Sequence, residues 1–370
     1  MKRLLAAVVL ILILVSCQKP VSPVAEFPAD KLPQNFYSLA TLSAADQQAL
    51  KQAGEYLYGQ SKRNTNLTPQ QLYQVAAWSF MIGNYPASQE ALEEYLNKKP
   101  GDIKATMNLA LALSSSGKTP DAVILMEKLV KQNPDQVLLW QNYGVILSRT
   151  GRVVDADKAF MRALDLEPKT AEVWNNRGVV LVQQKRYRDA IACYKKALKL
   201  KPDFVEAVVN QGLVYMTLNN LKDAEKCYRD ALALNPNYAE LYNQLGMVKG
   251  KQGNYQQAVG IFEQALKINP NLPAAHNNKG LALYKLGKFE EALQDFDQAV
   301  KNDPNFAEAY YNRALAEVIL HRYSQALEDL NKVFSLRPDF RQIAGMDARF
   351  SGLKNDPGAS SKFTQLLQGK

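Results

Sequence analysis

Between residues 69 and 340 the apolar and small positions fall in two alternating stripes. Within residues 137–170, Trp140, Gly144 and Leu147 lie three or four residues apart with Tyr143 beside them, and after Gly151 the spacing resumes with Ala156, Phe160 and Ala163. Residues so spaced share one face of an α-helix, so the pattern predicts two amphipathic helices facing each other across a glycine turn. The following segment repeats it with Trp174, Gly178, Leu181, Ala190, Tyr194 and Ala197. Pro100, Pro134, Pro168, Pro202, Pro236, Pro270, Pro304 and Pro338 mark one phase, each 34 residues after the last, without an insertion. A unit of this length cannot bury its apolar face alone, so neighbours must stack into an all-α array with a long surface for binding.

The slots of the unit carry specific demands. Gly144, Gly178, Gly212, Gly246 and Gly280 recur at position 8, and Ala156, Ala190, Ala224, Ala258 and Ala292 at position 20. Gly costs about 1 kcal/mol against Ala inside a helix, so its return at one slot implies close helix approach. Position 15 holds Gly83, Gly117, Gly151, Gly253 and Gly287, with Asn219 as the next best residue for a left-handed turn. Thr68, Pro69 and Gln71 make a helix start for the first repeat, and Ser43 with Asp46 starts an earlier amphipathic helix. Short closing helices are expected at 341–354 and 361–367, around a loop at Asp356, Pro357 and Gly358.

The order Trp, Leu-Gly, Tyr, Ala, Phe, Pro in these slots resembles the tetratricopeptide repeat. The resemblance implies a right-handed superhelical α-solenoid of eight helix pairs over 69–340, with an N-terminal capping helix within 43–68 and C-terminal caps over 341–370. It also implies a protein that binds other proteins.

The first residues carry a different signal. Lys2 and Arg3 precede an apolar stretch from Leu4 to Val15, then Ser16 and Cys17. The stretch is shorter than the ~20 residues that a membrane-spanning helix needs. It resembles the lipobox of bacterial lipoproteins, which implies a signal peptide over 1–16 and lipidation of Cys17. Gln18 in the next position favours the outer membrane, facing the periplasm. Residues 17–42, with Pro20, Pro23, Pro28 and Pro33, read as an extended tether.

Position 6 of the first helix is the sharpest functional clue: Gln74, Asn108, Asn142, Asn176, Asn210, Gln244, Asn278 and Asn312. Asn fills 26 of 370 positions, so eight random slots hold about half an Asn, and six are found. Asn is a poor residue inside a helix, so propensity does not account for it. Position 6 points about 200° away from core position 4, toward the groove of first helices. Carboxamides there could pair with the N–H and C=O of an extended peptide, or could brace neighbouring helices. The row resembles that of the repeat region in the O-linked N-acetylglucosamine transferase. The carboxylate clamp of chaperone-binding repeats is matched only by Lys104, Asn108 and Asn142, since Glu172 and Asn176 stand where basic residues belong. Glu172, Glu206, Glu240 and Glu308 make one groove edge acidic.

Charge and chemistry narrow the function classes. Loss of Lys2 and Arg3 takes the net charge from +9 to +7. Repeat four concentrates basic residues, among them Arg177, Lys185, Arg186 and Lys195, on a solvated face or a docking patch. Cys193 and Cys227 stand one repeat apart, a step longer than disulfide reach, so they are expected to stay unpaired. His276 takes a core slot and His321 a turn slot, and no catalytic, phosphate-binding, metal or nucleic-acid motif emerges. The expected protein is a non-enzymatic, cofactor-free, lipid-anchored scaffold. It would hold extended segments of partner proteins in the bacterial envelope, without nucleic acid or a small-molecule substrate. The alternative is a structural assembly factor of an envelope machine, acting through its convex face and termini.

Overall fold

The computed structural model describes residues 27–32, 35–62 and 66–369. Every regular element among them is helical. The signal peptide, Cys17 and the first part of the tether lie outside the described residues. The chain divides into two compact units, residues 1–185 and 186–370.

In the first unit, helix α1 (Ala44–Ser61) starts at Ser43, whose hydroxyl accepts the Asp46 N–H. Three antiparallel pairs follow: α2 (Pro69–Met81) with α3 (Tyr85–Lys98), α4 (Ile103–Ser115) with α5 (Thr119–Gln132), and α6 (Val137–Arg149) with α7 (Val153–Leu166). Helix α8 (Ala171–Gln183) closes the unit. Thr68 and Gln71 form a reciprocal capping box, each side chain bonded to the other's backbone N–H. Helix α1 lies so close to α2 that a Cβ on Gly54 would meet Trp78 at 2.2 Å.

The second unit begins with α9 (Tyr187–Leu200) and continues through four pairs. These are α10 (Val205–Thr217) with α11 (Leu221–Leu234), α12 (Ala239–Lys251) with α13 (Tyr255–Ile268), α14 (Pro273–Lys285) with α15 (Phe289–Asn302), and α16 (Ala307–Ile319) with α17 (Tyr323–Leu336). Its end is covered by α18 (Phe340–Met346), α19 (Ser351–Asn355) and α20 (Ser360–Gln368). Phe350, Leu353 and Phe363 from this cover are fully buried, and the Phe350 ring stands edge-on to Tyr311 at 5.3 Å.

The small residues do what their spacing implies. A Cβ on Gly144, Gly212, Gly246 or Gly280 would meet the position 24 ring of its own repeat at 2.5–2.8 Å, so glycine lets the aromatic seat against the first helix. The turn slot is left-handed throughout the repeats: Lys185, Asn219 and His321 hold it at φ 56–61° where the other repeats use glycine. Position 4 has a polar task besides packing. The Trp140 and Trp174 ring N–H groups donate to the carbonyls of Pro134 and Pro168, and His276 Nε2 stands 2.9 Å from the Pro270 carbonyl in the same manner. His276 is therefore a variant of the tryptophan slot.

One core slot is filled against its pattern. Position 11 is leucine in four repeats but Glu317 in the last, and this carboxyl is buried among Asp329, Asp297 and Arg313. Burial, with repulsion from Asp329, pushes its pKa up from 4.5 to about 8. Cys193 and Cys227 are both buried thiols with no disulfide between them.

Candidate ligand groove

The carboxamides of position 6 behave differently in the two units, and the first unit supplies the reason. The segment read from sequence as an extended tether through Leu42 is not a tether from Phe27 on. It packs across the first helices as two short 3₁₀ turns, Ala29–Lys31 and Phe36–Thr41. Phe27, Phe36 and Leu39 are at most 2% exposed and belong to the core of this unit. The Phe36 ring stands 5.4 Å from that of Tyr73 and 5.5 Å from that of Phe80. Burial of three large apolar side chains, worth about 1.5–3 kcal/mol each, outweighs the freedom of a proline-rich linker.

This segment sits on the first three members of the row. Gln74 Nε2 donates to the Phe27 carbonyl. The Phe36 N–H donates to Asn108 Oδ1 at 3.0 Å, and Asn35 Nδ2 donates to Asn142 Oδ1 at 2.7 Å. Gln74, Asn108 and Asn142 are sealed from solvent beneath it. A backbone carbonyl and a backbone N–H of an irregular segment are thus satisfied by the row, the chemistry that a carboxamide offers to any peptide.

The other end of each asparagine answers whether the row braces helices. Asn108 Nδ2 donates to the hydroxyl of Tyr73, the position 5 residue one repeat earlier, at 2.6 Å. Asn142 Nδ2 donates to the Leu138 carbonyl and lies 3.2 Å from Sδ of Met107, again position 5 of the preceding repeat. In the second unit Asn278 Nδ2 donates to Asn243 Oδ1 at 3.0 Å, and Asn312 Nδ2 to Asn277 Oδ1 at 2.9 Å, the same step. At Asn108, Asn142, Asn278 and Asn312 the amide nitrogen therefore braces position 6 to the previous repeat, whereas at Gln74 it reaches the covering segment instead. At Asn108 and Asn142 the brace and the contact to the covering segment use opposite ends of one side chain.

Gln244, Asn278 and Asn312 are half-buried, as are Asn176 and Asn210. Asn176 accepts from its neighbour Asn175 at 3.5 Å. Beside Asn278 the face opens into a cavity of about 290 Å³ lined by Met247, Gly250, Tyr255, Phe262, Leu281 and Ala282, with Lys251 and Lys285 at its rim. Asn108 and Asn142, the two asparagines of the partial carboxylate clamp, are both covered by the chain's own segment. Among the described residues no group of three or more His, Cys, Asp or Glu side chains could hold a metal ion.

Family models described as tetratricopeptide repeat match residues 82–137, 138–170, 171–204, 204–271, 243–305 and 277–339. The chain belongs to the tetratricopeptide-repeat family. Among solved structures, yeast Tom70 is similar with a TM-score of 0.56 at 15% identity, covering 89% of this chain and 81% of its own. The Cut9–Hcn1 hetero-tetramer of the APC/C gives a TM-score of 0.51 at 20% identity, over 90% of this chain and 62% of that one. YrrB, a TPR protein with an unusual peptide-binding site, is 28% identical over 50% of this chain and 94% of its own, with a TM-score of 0.40. The first two likenesses agree with the fold described above. No curated protein matches the chain.

Sequence reasoning found the row but missed the ligand-like segment that covers its first part. The signal was available in Phe27, Leu32, Phe36, Tyr37, Leu39 and Leu42, more large apolar residues than a solvated linker carries.

Proposed function

We propose that the protein is a scaffold that holds extended segments of partner proteins along the position 6 carboxamides, tethered by a lipid on Cys17 in the bacterial cell envelope. The observation that carries the reading is the stretch from Phe27 to Thr41, which docks on Gln74 and Asn108 through its backbone and on Asn142 through the Asn35 side chain. The first unit uses its row on its own chain, so partner segments belong on Gln244, Asn278 and Asn312 of the second. Membership of the tetratricopeptide-repeat family supports protein binding, and the lipobox supports the anchor. The scaffold carries no catalysis of its own.

Two experiments test this. A partner recovered from detergent-solubilised envelope should lose at least tenfold in affinity when Gln244, Asn278 and Asn312 are changed together to Ala, with helix content kept. Unchanged affinity would favour the convex face and termini as the docking surface. Metabolic labelling with a fatty-acid probe should mark the wild type and not Cys17→Ser, and equal labelling would remove the anchor.

A further inference from the structure

The cavity beside Asn278 repeats a site that the first unit fills. Five repeats earlier in the register, Asn278 corresponds to Asn108, Tyr255 to Tyr85, Leu281 to Leu111, and Gly250 to Phe80. At that earlier place the Phe36 ring lies against Phe80 and its N–H donates to Asn108 Oδ1. Asn278 is held by the same kind of brace, its Nδ2 donating to Asn243 Oδ1 at 3.0 Å. Gly250 has no packing reason to be glycine: a Cβ there would meet nothing within 4 Å, unlike Gly246, where it would strike Phe262 at 2.5 Å. With Gly250 where the first unit has Phe80, no side chain from this position enters the cavity.

Resting on the groove reading above, we propose that this cavity is a socket for an aromatic side chain on an extended segment of a partner protein. The partner residue's backbone N–H bonds Asn278 Oδ1, and a carboxylate beside it meets Lys251 and Lys285. The ring enters between Met247, Tyr255 and Leu281, which line the cavity. Lys251 and Lys285 are exposed at the rim and make no ion pair with a described residue. The partner is a different protein, because the stretch around Phe36, from Leu32 to Leu42, contains no carboxylate to match the two lysines. The acidic edge made by position 2 lies elsewhere on the first helices, so the preference for an acidic neighbour is local to this socket.

The test uses the full chain and two fluorescein-labelled peptides: PQNFYSLATL, taken from residues 33–42, and PQNFYDLDTL, which carries Ser38→Asp and Ala40→Asp. The acidic peptide should bind at least fivefold more tightly than its neutral parent at low salt, and replacing its phenylalanine with alanine should weaken it at least tenfold. Gly250→Leu, which fills the cavity without disturbing a packed neighbour, should also cost tenfold, and Lys251→Glu with Lys285→Glu should erase the preference for acid. With benzoylphenylalanine in place of the phenylalanine, the crosslink should fall on Met247. No binding of the acidic peptide, binding indifferent to Gly250→Leu, or crosslinks at Tyr73 and Phe80 instead would overturn the socket. An envelope partner that depends on the Gln244, Asn278 and Asn312 triple change but not on Gly250→Leu would overturn the socket alone. A partner indifferent to both would overturn the groove reading with it.

Discussion

The first unit and the second carry the same carboxamide row, yet Asn108 is sealed under Phe36 while Asn278, its counterpart five repeats on, borders an open cavity. The asparagine itself does not differ: in both places its amide nitrogen reaches position 5 of the preceding repeat. The difference lies in what covers the oxygen. A braced carboxamide presents an acceptor at a fixed place whether or not a peptide is there, so a groove that binds peptide here would be organised before it is filled. The chain's own segment shows what an occupant looks like: an aromatic anchor, a backbone hydrogen bond to the row, and little regular structure.

The comparison can be broken most sharply at Phe36. Its removal from a fully buried site should cost about 3–5 kcal/mol of segment docking. Limited proteolysis should then cut residues 27–42 of Phe36→Ala at least a hundredfold faster than in the wild type, with the helical circular dichroism nearly unchanged. If protection of the segment persists, its docking does not depend on the anchor.

A second test acts on the second unit through pH. Glu317 has its folded-state pKa raised to about 8 against 4.5 when exposed, so the folded unit keeps a proton that the unfolded chain releases. Its contribution is fully present below pH 4.5 and is lost as pH rises toward 8, by on the order of 3 kcal/mol at pH 7. Glu317→Gln should therefore raise the melting temperature at pH 7 and flatten that slope, as thermal melts across the range would show. Equal slopes in both proteins would mean that the carboxyl ionises freely in the fold.

The smallest effects separate the two asparagines. Asn108→Ala leaves the Phe36 N–H unsatisfied beneath the segment and should cost about 1–3 kcal/mol, whereas Asn278→Ala loses a half-buried brace worth roughly 0.5–1.5 kcal/mol. Urea unfolding of the single variants gives both numbers. Equal losses would mean that the covered and open rows are energetically alike.

Much of this was legible in the sequence because the repeat forces it. The 34-residue phase places Gly144 under Phe160 and Gly246 under Phe262, and short-range spacing alone dictates those contacts. The carboxamide row was visible for the same reason. What covers it was not, because Asn35 and Asn142 lie 107 residues apart and no periodicity links them. Proline content pointed to an extended linker over 17–42, while the decisive terms were the burial of Phe27, Phe36 and Leu39 in a groove whose shape no single segment encodes. Nor did the spacing distinguish bracing from peptide contact at position 6, since Asn108 and Asn142 do both with different atoms.

The first members of the row are already occupied by the chain itself, through Phe27, Asn35 and Phe36. Hydrogen–deuterium exchange of the full-length wild type and Asn108→Ala, followed by mass spectrometry of fragments covering 27–42, tests it most directly. Slow exchange is expected at the Phe36 amide in the wild type, where it bonds Asn108 Oδ1 at 3.0 Å, and exchange at least tenfold faster in the variant while helices α4 and α6 stay protected. Exchange of 27–42 at the rate of a free peptide in the wild type would contradict it.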